Sequence, residues 1–179
     1  MDSLRWDKPA CGLGRLTRGT KWMVLSGCRC CYRYGGLTVS PVVFPKWMQE
    51  VMAACMPLCG LNDKADWPNS CNLNCYADGS DWLDWHSDDE PLFGQGDVRI
   101  ISLSLGEERS FELRIAAGPD SKTVAKCRLR LRSGDLCTME GHTQQHYEHR
   151  VPKGGGRTIR LRVNLTFRWI KEHDKRCVV

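Results

Sequence analysis

Apolar and polar positions alternate most regularly near the end of the chain. Between Thr158 and Ile170, Ile159, Leu161, Val163, Leu165, Phe167 and Trp169 fall on one face of an extended segment. Arg160, Arg162, Asn164, Thr166 and Arg168 fall on the other, so the run predicts a two-faced strand. Strands are also predicted over 71–76, 99–105, 110–115, 126–132 and 136–140, with a hairpin at Gly106-Glu107-Glu108. Tyr32-Arg33-Tyr34, followed by Gly35-Gly36, reads as a short strand or hairpin edge. The rhythm changes after Pro45. There Trp47, Met48, Val51, Met52, Cys55 and Leu58 recur at three- and four-residue steps up to Gly60, which predicts one core-covering helix. One helix and many antiparallel strands point to a β-barrel or a two-sheet roll.

Composition narrows the class without choosing a function. The 179 residues suit one domain, and a hydrophobic fraction of 41 % is enough to build a core. We expect an arm over residues 1–20, a single domain over 21–171 and a tail over 172–179. No apolar run reaches the roughly 18 residues that a membrane helix needs. The N-terminal stretch lacks the apolar segment of a secretory signal. A soluble monomer of the nucleus or cytoplasm, with no membrane partner, is therefore expected. Lys and Arg number 26 against 21 Asp and Glu, a net charge of +5 that permits a polyanionic partner without demanding one. The eleven cysteines are read as free thiols, because no secretory signal accompanies them. Cys28-Arg29-Cys30-Cys31 holds one C-x-x-C spacing, and no second such pair follows to complete a zinc site. Cys55/Cys59 and Cys71/Cys75 are four apart.

The chemistry is concentrated in the stretch 81–90, DWLDWHSDDE. His86 and Asp88 are two apart, so in an extended segment their side chains share a face. An imidazole and a carboxylate so placed supply two of the three ligands of a non-haem iron site. An exposed acidic turn is the plain alternative. The third ligand is expected well downstream, where 141–149 holds three histidines. His142 and His146 have zinc-protease spacing, but Thr143 stands where that motif requires Glu.

Four segments now fall into order: Asn74-x-Tyr76, His86-x-Asp88, His149-Arg150-Val151-Pro152-Lys153 and Arg162-Val163-Asn164-Leu165-Thr166-Phe167-Arg168. Together they resemble the AlkB family of iron(II)- and 2-oxoglutarate-dependent dioxygenases. WHSDDE, IISLSLGEERSFELR, LRSGDL and MEG-x-x-Q-x-x-Y-x-H resemble it too. The resemblance runs from about Lys21 to Ile170 and is nearest to the eukaryotic nucleic-acid-repair branch. It implies a mainly β fold with a flanking helix, the double-stranded β-helix or jelly-roll barrel. It implies Fe(II) held by His86, Asp88 and His149, with 2-oxoglutarate and O2 as cosubstrates. Asn74, Tyr76, Arg162, Asn164 and Arg168 would contact 2-oxoglutarate. Arg168 would take its far carboxylate, since guanidinium grips a carboxylate through two parallel hydrogen bonds.

The resemblance also implies a nucleic-acid substrate. Tyr34, with Tyr32 beside it, would stack on a base drawn out of its helix. Glu90, with Asp89 adjacent, would lie near that base and favour cationic N1-methyladenine or N3-methylcytosine. Arg109 and Arg114 are expected at phosphates. The implied reaction is oxidative demethylation of N-alkylated bases in DNA or RNA, coupled to decarboxylation of 2-oxoglutarate to succinate. One alternative is a non-catalytic nucleic-acid-binding module of the same fold, against which the intact triad and both arginines argue. The other is a dioxygenase acting on a protein or lipid, against which the tyrosine pair, Glu90 and the basic charge argue. Gly154-Gly155-Gly156 is expected to leave the loop before the last strand flexible.

Overall fold

The computed structural model describes residues 5–7, 10–11, 14–94, 96–116, 127–155 and 158–178. In chain order these form β1 (Ala10–Cys11), β2 (Gly14–Arg15), β3 (Gly19–Val24), β4 (Tyr32–Tyr34), β5 (Leu37–Val39), β6 (Pro41–Val43) and α1 (Lys46–Cys55). There follow β7 (Ser70–Tyr76), β8 (Leu83–His86), β9 (Ile100–Gly106), β10 (Arg109–Ile115), β11 (Cys127–Leu131) and β12 (Leu136–Met139). The single-turn α2 (Thr143–His146), β13 (Tyr147–Val151) and β14 (Arg162–Arg168) complete the order. A six-stranded sheet runs β12-β9-β14-β7-β3-β6, and a four-stranded sheet runs β11-β10-β13-β8. Two small pairs, β1-β2 and β4-β5, stand beside them.

The large sheet has two unlike faces, and this division builds the site. Val163, Leu165 and Phe167 of β14, Cys71 and Leu73 of β7, and Ile101 and Leu103 of β9 share an apolar cluster with Met48 and Met52 of α1. Alternate residues on the same strands point the other way: Arg162, Asn164, Thr166 and Arg168, Asn72, Asn74 and Tyr76, and Ser102 line a cavity. Burying a sheet on both faces normally demands apolar residues on both. Here one face is covered by the helix, and the other is a polar cavity wall. All seven residues of β14 are buried.

Several expectations are corrected. The predicted hairpin at Gly106 does not form: β9 pairs with β12 and β14, and β10 pairs with β11 and β13, so the chain turns a corner from one sheet to the other. Gly106 has φ +87, and a Cβ there would stand 2.3 Å from the Leu161 carbonyl oxygen, so the corner needs glycine. The helix stops at Cys55, and a separate 3-10 turn spans Pro57–Cys59, because proline supplies no N–H to continue the ladder. Leu58 is consequently exposed rather than part of the apolar stripe. The last strand begins at Arg162 rather than near Thr158.

The expected arm and tail are also more engaged than their composition suggests. Arg18 is buried, and β3 already begins at Gly19. At the other end, the Val178 N–H donates to the Gly27 carbonyl at 2.9 Å. The glycine loop is pinned at its start, where the Gly154 N–H donates to the Gly79 carbonyl at 2.8 Å. Gly156 and Lys126 lie outside the described residues.

Candidate active site

A cavity of about 510 Å³ lies between the sheets, with His86, Asp88 and His149 in its lining. Antiparallel pairing of β13 with β8 sets His149 directly opposite His86. Their rings are 4.2 Å apart between centroids. Asp88 follows β8 by two residues and is 3 % exposed. Its Oδ1 is 3.7 Å from His86 Nε2, and its Oδ2 is 3.9 Å from His149 Nε2. One donor atom from each of the three residues falls within 4.8 Å of the others, so one ion can be shared among them. His149, far along the chain, is thus brought to His86 by strand pairing, and Asp88 joins them through the period of two.

The protonation states suit a divalent metal. Burial, and then the neighbouring His86, pushes His149 down to about 3, so its imidazole is neutral at physiological pH. Burial also lowers His86. The His86 Nδ1–H donates to the Asp84 carbonyl at 2.8 Å, which leaves the Nε2 lone pair facing Asp88. Burial raises the Asp88 carboxyl, but Arg168, His149 and His86 together pull it well below the usual range. The Asp88 N–H donates to Gln144 Oε1 at 2.9 Å, and Gln144 is itself buried on α2. Two neutral imidazoles and one ionised carboxylate form the donor set of a non-haem iron site with open positions.

Two arginines stand on the β14 wall with hydrogen-bonding capacity to spare. Arg162 is 2 % exposed; its Nη2 donates to Ser104 Oγ at 2.9 Å, while Nε and Nη1 are buried without partners. Arg168 is 3 % exposed; its Nη2 donates to Asp88 Oδ2, while Nε and Nη1 are buried without partners. An unpaired buried guanidinium N–H costs free energy, so these four nitrogens mark the place for an anion. Asn74 Oδ1 accepts from Arg18 Nε at 2.7 Å and from Asn72 Nδ2 at 3.3 Å. The Tyr76 ring lies under the Arg162 guanidinium at 5.2 Å. Asn164 is spent on the wall itself: its Nδ2 donates to Ser102 Oγ at 2.7 Å, and its Oδ1 accepts from Thr166 at 2.8 Å.

The remaining expected residues divide into those at the cavity and those that hold the frame. Tyr34, Asp89 and Glu90 line the cavity, with Tyr34 half-buried and Asp89 exposed. Tyr32 also lines it but is 3 % exposed, stacked on Trp22 at 4.8 Å and donating to Glu90 Oε1 at 2.7 Å. Glu90 Oε2 is buried without a partner. Burial, and then Asp88, raises Glu90 to about 7. The expected phosphate contacts do not hold. Arg109 is buried and donates to the carbonyls of Asp78, Asp81 and Pro152. Arg114 is committed to Glu148 at 2.6 Å and to the face of Trp85 at 4.3 Å.

Residues 10–168 match the 2OG-Fe(II) oxygenase superfamily. The chain belongs to that superfamily. The chain is 46 % identical over 106 residues to the alpha-ketoglutarate-dependent dioxygenase alkB homolog 3 of Rattus norvegicus, a match covering 57 % of this chain and 35 % of that protein. It is 33 % identical over 142 residues to the DNA oxidative demethylase ALKBH2 of Homo sapiens, covering 78 % of this chain and 52 % of that one. The chain therefore spans about a third to a half of the length of the curated relatives it matches.

The solved structure of OsALKBH1 superposes with a TM-score of 0.61 at 18 % identity, over 93 % of this chain and 86 % of that one. A prolyl-4-hydroxylase from Pseudomonas putida superposes with a TM-score of 0.51 at 13 % identity, over 96 % and 78 %. These likenesses bear out the jelly-roll fold, and the relatives bear out the AlkB resemblance carried by the motifs. The oxygenase superfamily implies Fe(II), 2-oxoglutarate and O2. The His86, Asp88 and His149 donors fit the metal, and the unpaired N–H groups of Arg162 and Arg168 fit a dicarboxylate beside it.

Proposed function

We propose that this oxygenase removes N-alkyl groups from bases of DNA or RNA while 2-oxoglutarate is decarboxylated to succinate. The observation that carries this reading is a single cavity holding both the three metal donors and four guanidinium nitrogens without partners. Bound iron, with 2-oxoglutarate and O2, supplies the oxidising chemistry that hydroxylates the alkyl carbon. The chain's own residues hold and orient. His86, Asp88 and His149 would hold the metal. Arg168, already bonded to Asp88, would serve the cosubstrate carboxylate beside the triad. Arg162, six residues away on the same face of β14, would take the other carboxylate, in place of the role given to Arg168 from the sequence. Tyr76 packs beneath Arg162 and holds it flat for a two-pronged contact.

The nucleic-acid assignment rests on the AlkB relatives and on the cavity rim. Tyr34 is half-buried at the cavity and has Arg18 above its ring at 5.9 Å. Tyr34 offers an aromatic surface to an extruded base, while Tyr32 supports it at 4.7 Å between centroids. The unpartnered Glu90 Oε2 offers an acceptor to the same base and, when ionised, favours a cationic alkylated form. Replacing Tyr34 by Ala tests the rim. Loss of one stacking face is expected to weaken oligonucleotide binding by about 1–3 kcal/mol and to leave the 2-oxoglutarate requirement unchanged. Titration of a methylated oligonucleotide, alongside KM for 2-oxoglutarate, reads both. Unchanged oligonucleotide affinity would remove Tyr34 from the substrate site.

A further inference from the structure

A second group of metal donors lies outside the active site, and none of the chemistry above uses it. Cys28, Cys30, His173 and Cys177 each offer one donor atom, and the four atoms fall within 4.8 Å of one another. Cys30 Sγ is 3.5 Å from Cys177 Sγ. His173 Nδ1 is 3.9 Å from both Cys28 Sγ and Cys30 Sγ. A tetrahedron with zinc–sulfur bonds of about 2.3 Å sets its sulfurs about 3.8 Å apart. The S···S separation of 3.5 Å lies close to that edge, and the N···S separations of 3.9 Å lie close to the edge of about 3.6 Å that zinc–nitrogen bonds of about 2.05 Å set.

We infer that Cys28, Cys30, His173 and Cys177 form a structural Zn(II) site of the Cys3His type that ties the C-terminal segment to the loop before β4. Four protein donors leave no open position, as a structural rather than a catalytic zinc requires. Soft thiolates select zinc over the harder divalent ions, so this site and the His–Asp–His site do not compete on equal terms for one metal. Backbone N–H groups already point at two of the sulfurs. Arg29 donates to Cys177 Sγ and Asp174 donates to Cys30 Sγ, each at 3.2 Å, and such donors stabilise thiolate. Cys31, which supplies the C-x-x-C spacing in the sequence, is not among the four.

The pairing is Cys28-x-Cys30 with His173-x-x-x-Cys177, whose halves are about as far apart as the chain allows. The consequence for the fold is a clasp. Cys30 precedes Tyr32 by two residues, and His173 follows Arg168 by five. The Cys30 carbonyl also accepts from Trp22 Nε1 at 2.8 Å, and Trp22 is the ring on which Tyr32 stacks. A metal here fixes the approach of the β4 aromatics to the end of β14.

The test uses the full chain, prepared under reducing, oxygen-free conditions, and the metals alone as probes. Metal analysis of freshly purified protein is expected to give one tightly held zinc per chain. Replacing it with Co(II) is expected to produce thiolate-to-cobalt charge-transfer absorption and the strong visible bands of a tetrahedral centre. The active-site donors contain no sulfur, so that absorption reports this site alone. Equimolar Zn(II) should abolish it, Cys177→Ser and His173→Ala should each weaken or lose it, and Cys31→Ser should keep it. The inference is overturned if unmodified protein shows no sulfur-ligated cobalt signal, if Cys177→Ser leaves the signal undiminished, or if the native cysteines prove to be joined in a disulfide with no zinc bound.

Discussion

Succinate release is expected to fall to background in Asp88→Ala, even with Fe(II) and 2-oxoglutarate in excess. The substitution removes the one anionic donor of the triad, so two imidazoles alone must hold the ion. It also leaves Arg168 buried without its carboxylate partner, and stranding one member of a buried ion pair costs about 3–5 kcal/mol. A lower denaturation midpoint should therefore accompany the loss of turnover. Asp88→Asn separates the two effects. Its side-chain carbonyl still accepts from Arg168, so stability should recover in large part while activity does not. Succinate quantification and a denaturation curve for both variants check this, and full activity in either would remove Asp88 from the metal site.

Arg162→Lys should raise the KM for 2-oxoglutarate by about tenfold or more while sparing oligonucleotide affinity. Lysine replaces a planar fork by a point charge, and one charge-assisted hydrogen bond contributes about 1.5–3 kcal/mol. Of the Arg162 guanidinium nitrogens, Nη2 is held by Ser104 Oγ, while the buried Nε and Nη1 have no hydrogen-bond partner. Arg168→Lys should behave differently. Because Arg168 touches Asp88, its replacement is expected to depress kcat and iron retention together with cosubstrate binding. Identical profiles for the two variants, measured as KM and kcat with varied 2-oxoglutarate, would refute the division of roles between them.

The metal donors were legible in the sequence because a two-residue spacing on an extended segment fixes a shared face, and because His149 stood in a matching motif. The two faces of the last strand were legible for the same reason. What covers each face was not. A polar strand face is normally wet, and only the opposing sheet turns the face bearing Arg162 and Arg168 into a buried wall. Period-two patterning also marks a strand without naming its neighbour, so β9 and β10 read as a hairpin although they join different sheets. Arg18 carried no local signal, lying just ahead of β3, and is nonetheless hydrogen-bonded to Asn74 across 56 positions. Gln144 stood inside a recognised motif, but its bond to the Asp88 amide depends on the tertiary fold. The first half of the thiol cluster was visible at Cys28 and Cys30, but its completion was not, since His173 is 145 residues from Cys28.

The most direct measurement is mass spectrometry of methylated DNA and RNA oligonucleotides incubated with the protein, Fe(II), ascorbate and 2-oxoglutarate, with succinate counted in parallel. The expected result is restoration of the unmodified base, with one succinate formed for each methyl group removed and no reaction when iron is chelated. Tight oligonucleotide binding with every methyl group intact and no succinate above background would contradict the account.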